Sequence, residues 1–475
     1  MVGFFCARLK RRAASGDNAR VKRFPTPRIL DDFARRFDAA GFRCYLVGGA
    51  LRNLALGHPP TDFDIATDAR PETVQALFRK VIPTGIQHGT VTVLYRGGHF
   101  EVTTFRTEST YSDARRPDSV SFSQSIDEDL ARRDFTINGM ALDLVTREFA
   151  DPHGGLADIE RGVIRAIGDP TERFREDGLR VMRALRFSAR LEFSLEPETR
   201  AAIPGALPSL ARVSAERVRD ELVKTLEAAH PAAALEDMHD TGVMEQILPE
   251  LAACESVPQG DGVNRTVLSH SIHACEGAPA ERLEIRLAAL LHDVGKLPTW
   301  EEDETTGMRF HGHDAVSADM TRDILTRLRF SNAVVDTVVH LVRHHMFGYD
   351  PTSWTDATVR RFISRVGSEH ISDLILLRRA DSYGKAGRPV RDRRLDALER
   401  HVSRVLEADS ALSIRDLAVN GNDLHAEAGI PKGPLMGRTL EFLLESVLQD
   451  PEQNTRETLL EIARNYYRER LKPGP

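Results

Sequence analysis

Apolar residues in the segment ILDDFARRFDAAG (29–41) recur at helical spacing and stop at Gly41, which predicts an early helix closed by a glycine. RCYLVGG (43–49) reads instead as a short buried strand running into a glycine turn. DFDIAT (62–67), HGTVTVLY (88–95) and HFEVTTFR (99–106) are rich in β-branched residues and alternate with period two, so each is expected to be a strand. Together they predict a small mixed α/β domain with an antiparallel component. After about Gly162 the pattern changes. REDGLRVMRALRFSARL, AERVRDELVKTLEAA, RLAALLHDVGK, SADMTRDILTRLR and TRETLLEIARNYYRER all carry amphipathic helical spacing. The rest of the chain is therefore expected to be nearly all helical, with breaks at 256–264 and near the start of 416–434, where turn residues cluster. No fixed-period repeat is present.

Length sharpens this picture, since 475 residues exceed one compact domain. Hydrophobic residues make up 41% and charged residues 28%, an ordinary globular balance. No apolar run has the length of a bilayer-spanning helix, so no membrane association is expected. Four scattered cysteines (Cys6, Cys44, Cys254 and Cys275) form no C-x-x-C pair, which fits a reducing cytoplasm better than a disulfide or thiolate-zinc framework. The net charge of −7 has the wrong sign for a nonspecific polyanion binder, so a nucleic-acid partner would need a local basic surface. Residues 1–24 are one such stretch, and read as a basic, disordered arm.

The densest chemistry lies in LVGGALRNLALGHPPTDFDIAT (46–67). Asp62 and Asp64 are two apart on a predicted strand, so their side chains leave one face. Neighbouring carboxylates repel unless a cation sits between them, and oxygen-only ligands suit Mg²⁺. Gly48 and Gly49 lie at a strand-to-helix turn where backbone N–H groups can approach phosphate. Arg52 follows one turn on. Glu101, on the strand HFEVTTFR, is a third carboxylate that could face the pair.

This segment resembles the nucleotidyltransferase motif of the polymerase-β superfamily, in its tRNA CCA-adding and poly(A) polymerase branch. The motifs RRDFTING (132–139), DPHGGLADIERGVIRAIGDP (151–170), EDGLR (176–180) and RALRF (183–187) continue the likeness in order over about residues 26–230. Two positions depart from the family pattern: Asn53 stands where Asp is usual, and Gly139 where Ala is usual. The resemblance implies an α+β architecture. A polymerase-β-like head with a mixed sheet (25–160) would precede a helical, nucleotide-selecting neck (161–235), a helical body (236–405) and a tRNA-binding helical tail (406–475). It further implies addition of nucleotides from CTP and ATP to the tRNA 3′ end, with Mg²⁺ held by Asp62 and Asp64.

A helix expected to begin at Glu176 carries Asp177, Arg180, Arg183 and Arg186 at steps of three, nearly on one face. Cytosine and adenine both present an amino donor beside an unprotonated ring nitrogen. An Asp acceptor next to an Arg donor matches that edge, while uracil and guanine present the reverse. Asp177 and Arg180 are thus candidates to select C and A, as the resemblance also implies. Arg183, Arg186 and Arg133 would meet the triphosphate or hold the pocket. The long polar segment TFRTESTYSDARRPDSVSF (104–122) resembles the flexible loop of full CCA-adding and A-adding enzymes. It favours full CCA addition over A-only or CC-only addition or poly(A) synthesis.

The helical part holds LLHDVGK, with His292 and Asp293 adjacent, surrounded by His270, His273, His311, His313, His344, His345 and Asp381. The set resembles the HD phosphohydrolase domain, which implies His270, His292, Asp293 and Asp381 as ligands of a divalent metal such as Mn²⁺ or Ni²⁺. A metal-dependent phosphohydrolase with an inert head is the competing function from a different class.

Overall fold

The structure, a computed structural model, describes residues 24–60, 62–109, 119–259, 263–303, 307–408 and 411–471. The basic stretch 1–23 and the centre of the polar loop, 110–118, lie outside the described residues. Two compact units form. One contains the described residues up to Ala252 with Arg327–Phe330, and the other contains the remainder from Ala253 onward.

The first unit begins with the predicted amphipathic helix α1 (Arg28–Ala39), and Gly41 follows it at positive φ. A seven-stranded mixed sheet is built from β1 (Tyr45–Val47), β2 (Phe63–Thr67), β3 (Val81–Gly85), β4 (Thr90–Tyr95), β5 (Gly98–Thr104), β8 (Ala141–Asp143) and β9 (Phe149–Ala150), in the order β3-β4-β5-β2-β1-β8-β9. Only β2 and β5 run parallel, and that pairing places Asp64 directly beside Glu101. A separate antiparallel ladder joins β6 (Arg106–Ser109) to β7 (Ser119–Phe122) on either side of the polar loop. Strand alternation links core to chemistry here. Phe63 and Phe100 stack at 4.8 Å on the buried face, while their neighbours Asp64 and Glu101 emerge on the other. Phe33 of α1 stacks flat on Phe100 at 4.1 Å, so the helix clamps the strand that carries Glu101.

Beyond the sheet the unit is helical, with one correction to the expected pattern. The helix predicted from Glu176 is two helices, α3 (Pro170–Glu176) and α4 (Leu179–Leu191), broken at Asp177 and Gly178. Asp177 has extended backbone (φ −141°, ψ 106°), and its side chain accepts the Leu179 N–H at 3.0 Å, so it sits in the break and not on a helix face. Opposite α4 lies α5 (Ala215–Leu226).

The second unit contains α6 (Val267–Gly277), α7 (Leu283–Leu291), α8 (His313–Arg327), α9 (Asn332–His344) and α10 (Ile371–Ala386). It is not purely helical: Trp300–Asp303 and Gly307–Phe310 pair as a hairpin just ahead of α8. The His292–Asp293 doublet is likewise not within a helix. His292 caps the end of α7 and Asp293 lies beyond it, before a tight turn at Val294–Lys296. The C-terminal residues gather around Leu424, Ile430, Leu443, Val447 and Leu459 as a cluster of their own. Among the described residues, no helix is long and apolar enough to cross a membrane.

Removing the Phe33 ring should leave a void beneath β5. We expect Phe33→Ala to lower unfolding stability by about 3–5 kcal/mol, measured by urea denaturation. A loss below ~1 kcal/mol would mean that the aromatic stack does not brace the sheet.

Candidate functional site

A cavity of about 1000 Å³ opens in the first unit above β2 and β5, with Asp64 and Glu101 at one end and Asp177 and Arg180 at the other. Its carboxylate end is built by the turn from β1 into α2 (Gly48–Ala55). Gly48 has φ +60°, and a Cβ there would lie 2.8 Å from Asp64 Oδ2, so only glycine lets the chain pass this carboxylate. The next N–H, that of Gly49, donates to Asp64 Oδ2 at 2.9 Å. The double glycine thus fixes the carboxylate itself. Asp62 stands one residue ahead of β2 and is exposed. Burial raises the Glu101 pKa, and the charges of Asp64 and then Asp62 raise it further, against Arg106. The three carboxylates together concentrate negative charge that a divalent cation would relieve.

Arginine lines much of the remaining wall. Arg52 is buried, lies over the Phe187 ring at 4.9 Å and donates to Asn138. Burial pulls its pKa down to about 10. Arg133 is held by the buried Asp129 at 3.0 Å. Arg180, Arg183 and Arg186 of α4 each have an internal carboxylate. Arg180 reaches Glu176 at 2.5 Å and the Arg173 carbonyl at 3.1 Å. Arg183 donates twice to Asp134 Oδ2, at 2.8 and 2.5 Å. Arg186 meets Glu221 of α5 at 2.6 Å, an ion pair whose N–H is not aligned as a hydrogen bond. The row therefore has the anionic company that its repulsion demands, supplied by the protein.

Asp177 and Arg180 both line the cavity, yet they do not pair with each other. Asp177 Oδ2 accepts from Arg217 at 3.0 Å, and Arg217 is a further lining residue. Sequence reasoning passes over Arg217, Asp134 and Glu221 because Asp177, Arg183 and Arg186, their partners, are far away in the chain, and over Asp129, whose partners Arg132 and Arg133 are near. Only the shared motif RRDFTING hints at Asp134. Of the two departures, Gly139 has a local counterpart: a Cβ there would lie 2.7 Å from Ile167 Cδ1, a contact relieved by moving that methyl. Asn53 receives a long 3.5 Å contact from Arg52.

The second unit gathers His270, His292, Asp293 and Asp381. His270 Nε2 lies 3.2 Å from Asp381 Oδ1 and 3.6 Å from Asp293 Oδ2, and His292 Nε2 lies 3.2 Å from the same Asp293 oxygen. Two of the surrounding histidines, His313 and His345, also converge on Asp293, which makes two overlapping groups suited to a metal ion. Burial opposes charge on His292, but Asp293 and Asp381 outweigh it and raise its pKa. Burial, and then the nearby His292, lower that of His345 to about 4. His273 turns to the Ser269 carbonyl, and His344 lies against His340.

Known proteins match this chain along most of its length. Residues 44–165 match the Poly A polymerase head domain, 192–255 the probable RNA and SrmB-binding site of polymerase A, and 265–385 the HD domain. The CCA-adding enzyme of Lactobacillus johnsonii is 34% identical over 435 residues, 90% of this chain and 94% of that protein. The Bacillus stearothermophilus CCA-adding enzyme, solved in complex with CTP, superposes with a TM-score of 0.73 at 31% identity, covering 93% of this chain and 98% of that one. The Thermotoga maritima CCA-adding enzyme, solved with tRNA, shares the fold at a TM-score of 0.57 and 19% identity, covering 94% of this chain and 97% of that one.

Arg186 and Glu221 are both buried, so removing one partner strands a charge. Glu221→Leu should cost about 3–5 kcal/mol, whereas the double change Arg186→Met with Glu221→Leu should recover most of it. Chemical denaturation of the three chains tests this, and a double variant no more stable than the single one would contradict it.

Proposed function

The chain belongs to the family of CCA-adding enzymes, and from that premise we propose that it adds C, C and A in turn to the 3′ end of tRNA from CTP and ATP, without a nucleic-acid template. The single observation that carries the chemistry is the register of β2 against β5, which sets Asp64 beside Glu101 at the floor of an arginine-lined cavity. The carboxylate donor set suits Mg²⁺, with Asp62 and Asp64 as its ligands and Glu101 as a supporting acid. When bound, the ion lowers the pKa of the attacking hydroxyl and balances charge on the leaving pyrophosphate. The tRNA 3′-hydroxyl displaces pyrophosphate from the α-phosphorus, so no protein nucleophile is needed.

The chain's own residues supply position and choice. Gly49 holds Asp64 in place through its N–H. Arg52 and Arg133 face the triphosphate, while Arg183 and Arg186, already paired, hold the pocket wall. Asp177, oriented by Arg217, accepts the exocyclic amino group of C or A. Arg180 donates to the adjacent ring nitrogen while Glu176 steadies its guanidinium. Uracil or guanine would set acceptor against acceptor and donor against donor, each mismatch costing about 1–3 kcal/mol, or roughly 5–150-fold.

The head (25–160) carries the transfer and the neck (161–235) the selection. The body (236–405) holds a metal on His270, His292, Asp293 and Asp381, for which Mn²⁺ or Ni²⁺ suits the mixed nitrogen and oxygen donors. The tail (406–475) contacts the tRNA elbow. A cytoplasmic location follows from the substrate.

Incubating the protein with CTP, ATP, Mg²⁺ and tRNA lacking its terminus should yield CCA ends. Failure to incorporate C would refute the assignment, and C without A would limit it to partial addition. Asp64→Ala should lower addition by at least ~10³-fold, with tRNA affinity in gel shifts nearly unchanged. For Asp177→Ala we expect UTP and GTP incorporation to rise at least tenfold relative to CTP; unchanged selectivity would remove Asp177 from the template.

A further inference from the structure

The sheet face that carries the acids continues beyond Glu101 as a row of hydroxyls. Thr92 of β4 stands directly opposite Glu101 in the antiparallel register of β4 and β5, so its side chain leaves the same face. Two residues along, Thr90 and Thr103 face each other across the same strands, with their hydroxyls 3.1 Å apart. The register of β3 on β4 slips between Ile82 and Gly85, and there the Thr84 hydroxyl meets that of Thr92 at 3.0 Å. All four threonines line the main cavity, and among the described residues their hydroxyls bond only within these two pairs. The opposite face of β4 and β5 holds Val91, Val93, Phe100 and Val102, all buried. Both faces of β4 are thus β-branched, and what distinguishes the cavity face is its hydroxyls.

The direction of the reaction assigns that face to one of the two substrates. In phosphoryl-type transfer the attacking and leaving oxygens lie roughly in line across the phosphorus. The arginines that face the triphosphate stand on the β1 side of the acids. Arg52 is on α2, directly after β1, and Arg133 reaches the same turn, where a Cβ on Gly48 would lie 3.3 Å from its Nη1. In the sheet order β1 flanks β2 on one side, while β5, β4 and β3 follow on the other. Pyrophosphate leaving toward β1 therefore requires the attacking hydroxyl to come in over β5 and β4. That hydroxyl is the 3′-OH of the RNA, and its ribose carries a 2′-OH on the adjoining carbon.

We propose that Thr84 and Thr92 form the subsite for the 2′-hydroxyl of the ribose at the RNA 3′ end, and that the RNA strand enters across β4 and β3. A hydrogen-bonded pair of threonines has committed one proton. The accepting threonine keeps its own O–H free, and the donating one keeps lone pairs. A 2′-hydroxyl both accepts and donates, so it can close a cycle of three hydrogen bonds with the pair. A phosphate oxygen only accepts, and the hydrogen of a deoxyribose does neither. Thr92 lies one strand from Glu101, about 4.8 Å, next to the acids at which the 3′-hydroxyl reacts. The pair thus tells an RNA end from a DNA end. The inference rests on the reading of the chain as a transferase acting at the tRNA 3′ end.

Addition of A from ATP is followed with the full-length chain on two tRNAs ending in CC, identical except that the last ribose of one lacks its 2′-hydroxyl. The unaltered chain should use the ribose end with a kcat/KM about tenfold higher. Combining Thr84→Val with Thr92→Val keeps both side chains β-branched. That change should cut the preference to about twofold, through a higher KM for the ribose-ended tRNA, with the deoxy-ended tRNA and the KM for ATP nearly unchanged. Thr84→Val alone, at an exposed position of the edge strand β3, should lower it to roughly threefold and serves if the double variant does not fold. Equal losses on both tRNAs would make the threonines structural and overturn the subsite. A raised KM for ATP with new tolerance of 2′-deoxy-ATP would assign the pair to the incoming nucleotide and overturn it as well. No preference in the unaltered chain would do the same, whereas no addition to either tRNA would overturn the transferase reading itself.

Discussion

The nucleotidyltransferase half of the molecule turns on Asp134. Its carboxylate is buried and fully committed: Oδ1 accepts from the Phe135 N–H and the Asn138 side chain, and Oδ2 accepts twice from Arg183. Burial alone would raise its pKa, yet Arg183 and these hydrogen bonds hold it well below the usual carboxylate range. Its backbone carbonyl takes the Ile167 N–H, and Phe135 packs edge-on against Phe187 of α4. One residue thereby ties the segment after the sheet to the helix that carries the arginine row. Breaking a buried pair of this kind costs about 3–5 kcal/mol, and it would release the wall of the cavity along with the fold.

The same logic accounts for a chain that is acidic overall yet lines its main cavity with arginine. The three guanidiniums of the row on α4 are each matched to a carboxylate: Arg180 to Glu176, Arg183 to Asp134 and Arg186 to Glu221. These pairs orient the arginines and allow them to sit close together. Side chains held in this way lose less ordering entropy when a ligand binds. The net charge of −7 is a sum over the whole chain and does not describe this local field, in which arginines line the cavity beside Asp64, Glu101, Asp134 and Asp177.

Much of the site was legible in the linear pattern for reasons that are themselves local. Strand alternation puts Asp64 on one face of β2, and the glycine pair marks the turn that grips it. Glu101 needed one more fact, the parallel register of β5, which no local pattern encodes. The break at Asp177 was masked because helical spacing continues across it, although the Asp177 side chain takes the Leu179 N–H and Gly178 abuts the Ser209 backbone there. Arg217 and Glu221 were invisible for a simpler reason, since an ion pair between distant segments leaves no periodic trace. In the second unit the HD doublet drew attention to the cluster, but the placement of His313 depends on the Phe310 carbonyl at the end of a hairpin that the helical reading of that half omitted.

The two acid-centred sites differ in what they can hold, and the difference is written in their donors. In the head the converging groups are carboxylates, one of them exposed, next to a wide cavity. Such a site suits a hard ion that keeps water and takes further oxygens from a triphosphate. In the second unit the acids are almost fully buried, and imidazoles outnumber them. Nitrogen donors favour a later transition metal, and burial penalises any arrangement that leaves their lone pairs unmatched. The donors of the head thus suit an exchangeable ion, and those of the buried cluster a resident one.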